Sequence, residues 1–234
     1  TQLMALDGCR WDEQLCDLFG VPAAALPQVV ANAGAFGLTE PGLFGAPIPI
    51  GGLAGDQQAA SIGQGCLTPG DTKATLGTGA FILTHMGGVV PTSTHRLLGT
   101  LLYRVGDETA YALEGSIFVA GSLMQWLRDG IGIIGAAAET DGIARSVPDN
   151  GGVAMLPALA GLGAPHWRPE ATGTISGITL GTTRAHIVRA ALESLSHQAQ
   201  DLARAFAADG APWRLLRIDG GMSANDWIAQ DLAD

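Results

Sequence analysis

Positive charge is what this sequence has little of. Twelve Lys and Arg stand against 22 Asp and Glu, a formal net charge of −10, and no basic run occurs anywhere in the 234 residues. A nucleic-acid face needs clustered cations to replace the counterions of a phosphate backbone, so the composition argues against nucleic acid as a partner. Cysteine is scarce as well. Cys9, Cys16 and Cys66 include no C-x-x-C pair, and an odd number cannot close a disulfide framework. They read as buried or indifferent thiols of a reducing cytoplasm. The five histidines lack H-x-x-x-H spacing, so no protein metal site is assigned. Long apolar runs are missing too. The uncharged stretch "GGVAMLPALAGLGAP", residues 151–165, is too short to cross a bilayer and is broken by Pro157 and several glycines, so it reads as buried loop and strand and no membrane association is expected. The chain opens on Thr1 without a basic n-region or apolar h-region, which predicts no secretion signal and a start inside something larger.

Several nucleotide and hydrolase motifs are also absent. No G-x-x-x-x-G-K-[ST] occurs, because Lys73 in "GDTKATLG" has the wrong flanks, and no G-x-G-x-x-G follows a strand. P-loop and Rossmann assignments are therefore excluded. The missing G-x-S-x-G elbow lowers a hydrolase reading.

What is present is an apolar, glycine-rich alternation of strands and helices. With 47% hydrophobic residues the chain can bury a sizeable core as one large domain or one and a half ordinary ones. "DEQLCDLFG" reads as a short amphipathic helix closed by Gly20, and residues 27–47 as a Pro- and Gly-rich connection. A strand is expected at 47–54, the turn of Asp56 next, then a helix over 57–64. "TKATLG", "AFILTHM", "LLGTLLYRV" and "TAYALEG" read as strands, the last two joined at Gly106 and Asp107. Leu123, Trp126 and Leu127 keep helical spacing up to Gly130, and "AAAETDGIARSV" is a second helix. The longest helix is expected over 184–209, with Ile187, Ala191, Leu195, Leu202 and Phe206 on one side, Thr182 or Thr183 as cap and Gly210 beyond its end. A strand "WRLLRID", a "GGM" turn and a helix opening with Ser223 and Asp226 in capping-box spacing complete the chain. Trp126, Trp167, Trp213 and Trp227 are expected to pack.

Three turns carry glycine beside a polar residue: Gly55, Asp56 and Gln57; Gly77, Thr78 and Gly79; Gly220 and Gly221 with Asn225. Glycines there let backbone amides approach a ligand closely, and helix N-termini favour phosphate, so the turns suggest a nucleotide cleft. On residue grounds alone Asp56 stands equally well as a helix N-cap or as a functional acid.

The segments "GLAGDQQAASIGQGC", "KATLGTGAFIL", "ALEGSIFVAGSLMQWLRDGIGII" and "IDGGMSAND" occur in this order, and "GTISGITLGTTRAHIVRAALE", residues 173–193, carries His186 and Glu193 at constrained positions. Together they resemble the FGGY carbohydrate kinases. The resemblance runs from about Trp11 to the last residue and covers about half of a family member. It departs at Ala74 and Leu76, where the family commonly has Asn and Tyr, and in "GLGAPHWRPEATG", which lacks an expected Tyr and Asp.

The resemblance implies an α/β, actin-like ATPase or ribonuclease H-like fold of two lobes, each a mixed sheet flanked by helices. Residues 1–48 would be the end of the N-terminal lobe and a connecting segment. Residues 49–234 would be the C-terminal, nucleotide-binding lobe, truncated at its end. The implied activity is transfer of the γ-phosphoryl group of ATP to glycerol, with erythritol, xylulose or another polyol or sugar as alternative acceptors. A non-catalytic actin-like nucleotide-binding module is the reading from a different class. By residue, the resemblance implies that Asp56 takes the proton of the attacking hydroxyl, Gln57 bonds a polyol hydroxyl and Phe81 covers the carbon skeleton. Thr78 would meet the γ-phosphate, Gly121 and Gln125 would line the nucleotide site, and Gly221 and Asn225 would hold the adenosine end. Mg²⁺ would be held through ATP and water with Asp56 nearby. The complete enzyme is implied to be a cytoplasmic dimer or tetramer, and this stretch alone is expected to lack turnover.

Overall fold

The computed structural model describes residues 2–234. A two-stranded ribbon, β1 (Met4–Ala5) with β2 (Arg10–Trp11), leads into α1 (Glu13–Leu18). Asp12 caps α1 by accepting from the Leu15 amide at 3.1 Å, which satisfies one of the orphan donors of a helix start. The expected strand at 47–54 does not form. Residues 32–53 make an irregular hairpin around α2 (Pro41–Phe44), held by single bridges pairing Leu38 with Pro49 and Ala33 with Gly52. Pro47 and Pro49 have no amide proton, so one edge of this segment cannot donate to a ladder; on the other edge Ile48 and Ile50 donate to Thr39 Oγ1 and the Gly37 carbonyl, both at 2.9 Å. An extended arm, not a sheet strand, therefore delivers Asp56 to the head of α3 (Asp56–Gly63).

The four expected strands follow as β3 (Asp71–Leu76), β4 (Ala80–Gly87), β5 (Leu98–Val105) and β6 (Glu108–Ile117). After them α4 (Gly121–Gln125) runs on through a single π turn to Gly130, and α5 (Glu139–Arg145) precedes a short ribbon of β7 (Ala154–Leu156) and β8 (Thr174–Ser176). The long helix, α6 (Arg184–Ala208), starts at Thr183, whose amide donates to His186 Nδ1 at 3.0 Å in a capping box. β9 (Leu215–Asp219) and α7 (Asp226–Ala233) end the chain. The Ser223–Asp226 capping box is not used. A 3-10 turn, Gly221–Ala224, takes up Ser223, whose hydroxyl donates to the Gly220 carbonyl, and Asn225 becomes the cap, accepting from the Ile228 amide at 3.1 Å.

The main sheet has the order β5-β6-β4-β3-β9, antiparallel except that β9 runs parallel to β3. This is the expected mixed sheet flanked by helices. Strand alternation sorts its two faces. Ala74, Leu76, Ala80, Ile82, Leu113 and Ile117 face a core filled by Leu192, Leu195, Leu202 and Phe206 of α6 and Ile228 of α7. Lys73, Thr75, Phe81, Leu83, Glu114, Ser116, Arg217 and Asp219 belong by register to the opposite face. There α3 is tied down through Gln64, which follows it and donates to Asp219 Oδ2 at 3.1 Å. The tryptophans pack to different degrees: Trp227 is buried, Trp126 and Trp213 lean on the core, and Trp167 keeps 37% of its surface exposed while its edge meets Phe118.

Candidate active site

Backbone crowding brings three turns to one end of the sheet. The Thr78 carbonyl accepts from the amides of Ala120 and Ser122 at 2.9 and 3.1 Å and from Ser122 Oγ at 2.9 Å, while the Gly121 amide donates to the Gly77 carbonyl at 2.8 Å. The start of α4 thus sits directly on the β3–β4 turn. A Cβ at Gly121 would lie 2.6 Å from the Gly77 oxygen, and one at Gly79 2.6 Å from the Ile117 oxygen. Gly220, at φ +88°, would bring a Cβ 2.6 Å from the Leu76 oxygen. Only glycine permits this approach, and it is why Thr78, Gly121 and Gly221 share a neighbourhood.

Beside these turns lies a pocket of about 190 Å³, lined by Met124, Ala137, Thr140, Asp141, Gly221 and Asn225 among others. Asn225 Nδ2 donates to Thr140 Oγ1 at 2.9 Å, and Thr140 Oγ1 donates to the Ala137 carbonyl at 2.7 Å. Asp141 accepts from the Trp227 amide and pairs with Arg145, both at 2.7 Å. The Arg145 guanidinium is the main reason its carboxyl lies below the usual range. The structure brings Gly221 and Asn225 into this pocket but leaves Gln125 exposed on α4 and outside its lining. Ala137, Thr140 and Asp141 were not selected from sequence. Their only cue is the alanine run before Glu139, which periodicity reads as an ordinary helix start.

Asp56 is exposed at the head of α3, which packs against β3, and accepts from the Gln57 amide at 2.8 Å. The favoured N-cap arrangement is not used, since Gly55 is the capping residue and offers no side chain. Gln57 Oε1 is buried without a hydrogen-bond partner. A buried amide oxygen in that state has a hydrogen bond still to make. Phe81 is half-buried on the same sheet face as Lys73, between Thr75 and Ser116 in register.

The charges beneath this corner were also missed. Lys73, set aside because its flanks are wrong for a P-loop, is fully buried, and its Nζ donates to Thr75 Oγ1 at 2.7 Å. Burial pushes its pKa down, opposed by the charges of Asp219, Glu114 and Asp56. Burial likewise pushes the Glu114 carboxyl up, against the pull of Lys73. Among the described residues no group of three or more His, Cys, Asp or Glu is arranged to hold a metal ion, and no helix is long and apolar enough to cross a membrane.

Comparison with known proteins fits this geometry. Glycerol kinase of Rhodospirillum rubrum is 56% identical over 235 residues, covering all of this chain and 48% of the relative. The crystal structure of Plasmodium falciparum glycerol kinase with ADP superposes with a TM-score of 0.89 at 38% identity, over 99% of this chain and 47% of that one. Xylulose kinase from Rhodospirillum rubrum superposes with a TM-score of 0.80 at 25% identity, over 98% of this chain and 47% of its own. The chain spans about half the length of the curated relatives it matches. The C-terminal domain of the FGGY family of carbohydrate kinases matches residues 72–234, and the chain belongs to that family, whose fold is the actin-like one.

Proposed function

We propose that the complete protein transfers the γ-phosphoryl group of ATP to a terminal hydroxyl of glycerol, giving sn-glycerol 3-phosphate and ADP. The observation that carries this reading is the pairing at the head of α3: an exposed carboxylate, Asp56, next to an amide whose buried Oε1, on Gln57, lacks a partner. A hydroxyl-bearing acceptor supplies what each needs. Its proton goes to Asp56 as its oxygen attacks phosphorus, and a neighbouring hydroxyl donates to Gln57 Oε1. Phe81, half-buried on the same sheet face, covers the carbon chain.

The nucleotide is assigned to the turn at 77–79 and the pocket beside it. Thr78 faces the γ-phosphate, Gly121 and Gln125 flank the phosphates, and Gly221 with Asn225 closes on the adenosine. The absence of room for a Cβ at Gly79 and Gly121 suits a ligand that approaches backbone. Asp56, an exposed hard oxygen donor, suits Mg²⁺ that keeps its waters and its phosphate ligands. When bound, that ion would neutralise the charge spread over the transferred group. Residues 1–48 are assigned to the end of the N-terminal lobe and its connection, and 49–234 to the C-terminal lobe. We assign the whole enzyme to the cytoplasm as a dimer or tetramer.

The likeness to a xylulose kinase favours one second reading, a different polyol or sugar acceptor on the same machinery. An acceptor panel separates the two. Complete protein with Mg-ATP and glycerol, erythritol, xylulose or no acceptor should release ADP with glycerol alone. Faster release with another acceptor would keep the chemistry and replace the substrate, and acceptor-independent ATP binding without turnover would favour a nucleotide-binding module.

A further inference from the structure

The walls of the pocket assigned to the adenosine come from two distant parts of the chain: Ala137, Thr140 and Asp141 around the start of α5, and Gly221 and Asn225 ahead of α7. Two hydrogen bonds cross between them, from Asn225 Nδ2 to Thr140 Oγ1 at 2.9 Å and from the Trp227 amide to Asp141 Oδ2 at 2.7 Å. No residue of α6 lines this pocket, yet one side chain of α6 touches what stands behind both walls. Arg189 Nη1 donates at 2.8 Å to the carbonyl of Val147, just past the end of α5. Its guanidinium carbon also lies 5.4 Å from the centroid of the Trp227 ring, within cation–π range. Its Nε donates at 2.9 Å to Glu193 Oε1, one turn further along α6, and Glu193 Oε2 accepts from Asn150 Nδ2 at 2.6 Å. The segment that leaves α5, residues 147–150, is thereby tied twice to α6. An i,i+4 ion pair by itself adds little to a helix, so the weight of this arrangement lies in the contacts that leave α6.

We propose that Arg189 is a positioning residue for nucleotide binding: from α6 it fixes α5 and the head of α7 relative to each other, and so sets the distance between the two walls of the pocket. This rests on the assignment of that pocket to the nucleotide. The ring that Arg189 covers belongs to the residue whose amide holds Asp141, and Trp227 stands two residues after the Asn225 that holds Thr140. A shift of Trp227 therefore moves both cross-wall bonds together. At the other wall, Val147 follows a helix of seven residues, about two turns, whose first turn carries Thr140 and Asp141. A shift of Val147 moves that short rod. The reference point is the packed core, since α6 is anchored there by Leu192, Leu195 and Leu202. Only a planar guanidinium offers donors in two fixed directions and a flat face for an indole, a geometry that an ammonium lacks.

The test is calorimetric titration of the complete protein with Mg-ADP, together with steady-state kinetics, for the parent, Arg189→Met, Arg189→Lys, Leu202→Ala and Ala137→Trp. Arg189→Met should weaken Mg-ADP binding and raise KM for ATP by about 3- to 30-fold, the scale on which residues outside a site shift binding. KM for glycerol and kcat at saturating ATP should stay at the parent's values. Arg189→Lys keeps the charge but not the fork, so it should also bind Mg-ADP more weakly than the parent, and it serves if Arg189→Met fails to fold. Leu202→Ala opens a cavity in the core on the same helix, away from the pocket, and is the control for stability alone. Titrated well below its Tm, it should bind Mg-ADP as the parent does. Parent affinity in the folded Arg189 variants, or an equal loss in Leu202→Ala, would overturn the inference. Ala137→Trp fills the pocket and should abolish Mg-ADP binding. Its doing so beside unchanged Arg189 variants overturns this inference alone, whereas parent affinity in Ala137→Trp removes the assignment of the pocket and the inference together.

Discussion

Asn225 joins two roles in one amide: its Oδ1 caps α7 and its Nδ2 fastens Thr140 in the wall of the pocket proposed for the nucleotide. Asn225→Ala should cost about 1 kcal/mol, the usual loss of a side-chain cap. It should also raise KM for ATP, so a thermal melt and a KM measurement together check it; a lowered Tm with unchanged KM would reduce Asn225 to a cap. Asp209 has a different role at the end of α6. Its buried carboxylate loses hydration, which raises the pKa, but hydrogen bonds from Ser93, His95 and Thr94 outweigh that and hold it well below the usual carboxylate range. A folded pKa below the unfolded one contributes stability that is complete above the unfolded value, about 3.9, and is lost as pH falls through the folded value. Asp209→Asn should therefore lower Tm at pH 7, with the gap to the parent narrowing as pH drops below about 4. Melts at pH 7, 5 and 3 decide it, since a gap independent of pH would mean the ionised carboxylate is not responsible.

At the scale of elements, the hydrophobic periods of β3, β4, β5, β6 and α6 were legible because each buries one face, and burial writes itself into the sequence as period 2 or 3.6. The arm at 47–54 was misread for a reason internal to it. Its alternation of Pro and Ile mimics a strand, but Pro47 and Pro49 remove the donors that a strand needs. The start of α7 was misread because Ser223 and Asp226 have capping-box spacing, and only the 3-10 turn between them hands the cap to Asn225. The docking of α4 on the β3–β4 turn was visible only as glycines, since spacing does not reveal which backbone meets which. It makes a strong prediction. Gly121→Ala forces a methyl against the Gly77 carbonyl and should cost about 1–3 kcal/mol as overpacking. ADP affinity, measured by calorimetry, should fall with it; an unchanged Tm and unchanged affinity would show that the two loops part easily.

Across the whole molecule, sequence reading reached the family and the mixed sheet, and it named Gly221 and Asn225, which line one pocket beside the β3–β4 turn. It did not reach the wall formed by Ala137, Thr140 and Asp141 or the buried charges around Lys73, because both arise from contacts between distant segments with no local pattern. Large apolar side chains stand exposed in the first third of the chain, Leu18, Phe19, Leu43, Phe44 and Leu53 among them, whereas the opposite side of the main sheet is a closed core. Such a surface suits burial by further polypeptide, and the curated relatives that the chain matches are about twice its length. The chemistry proposed for the complete protein converges on one carboxylate that is open to solvent and makes a single short contact, with its own neighbour's amide. The most direct measurement is glycerol-dependent ADP release by the complete protein, comparing the parent with Asp56→Asn. The account predicts a loss of about 10²–10⁴-fold, the range of a general base, with Tm and ADP binding retained. Glycerol-dependent turnover in Asp56→Asn at the parent's rate would contradict it.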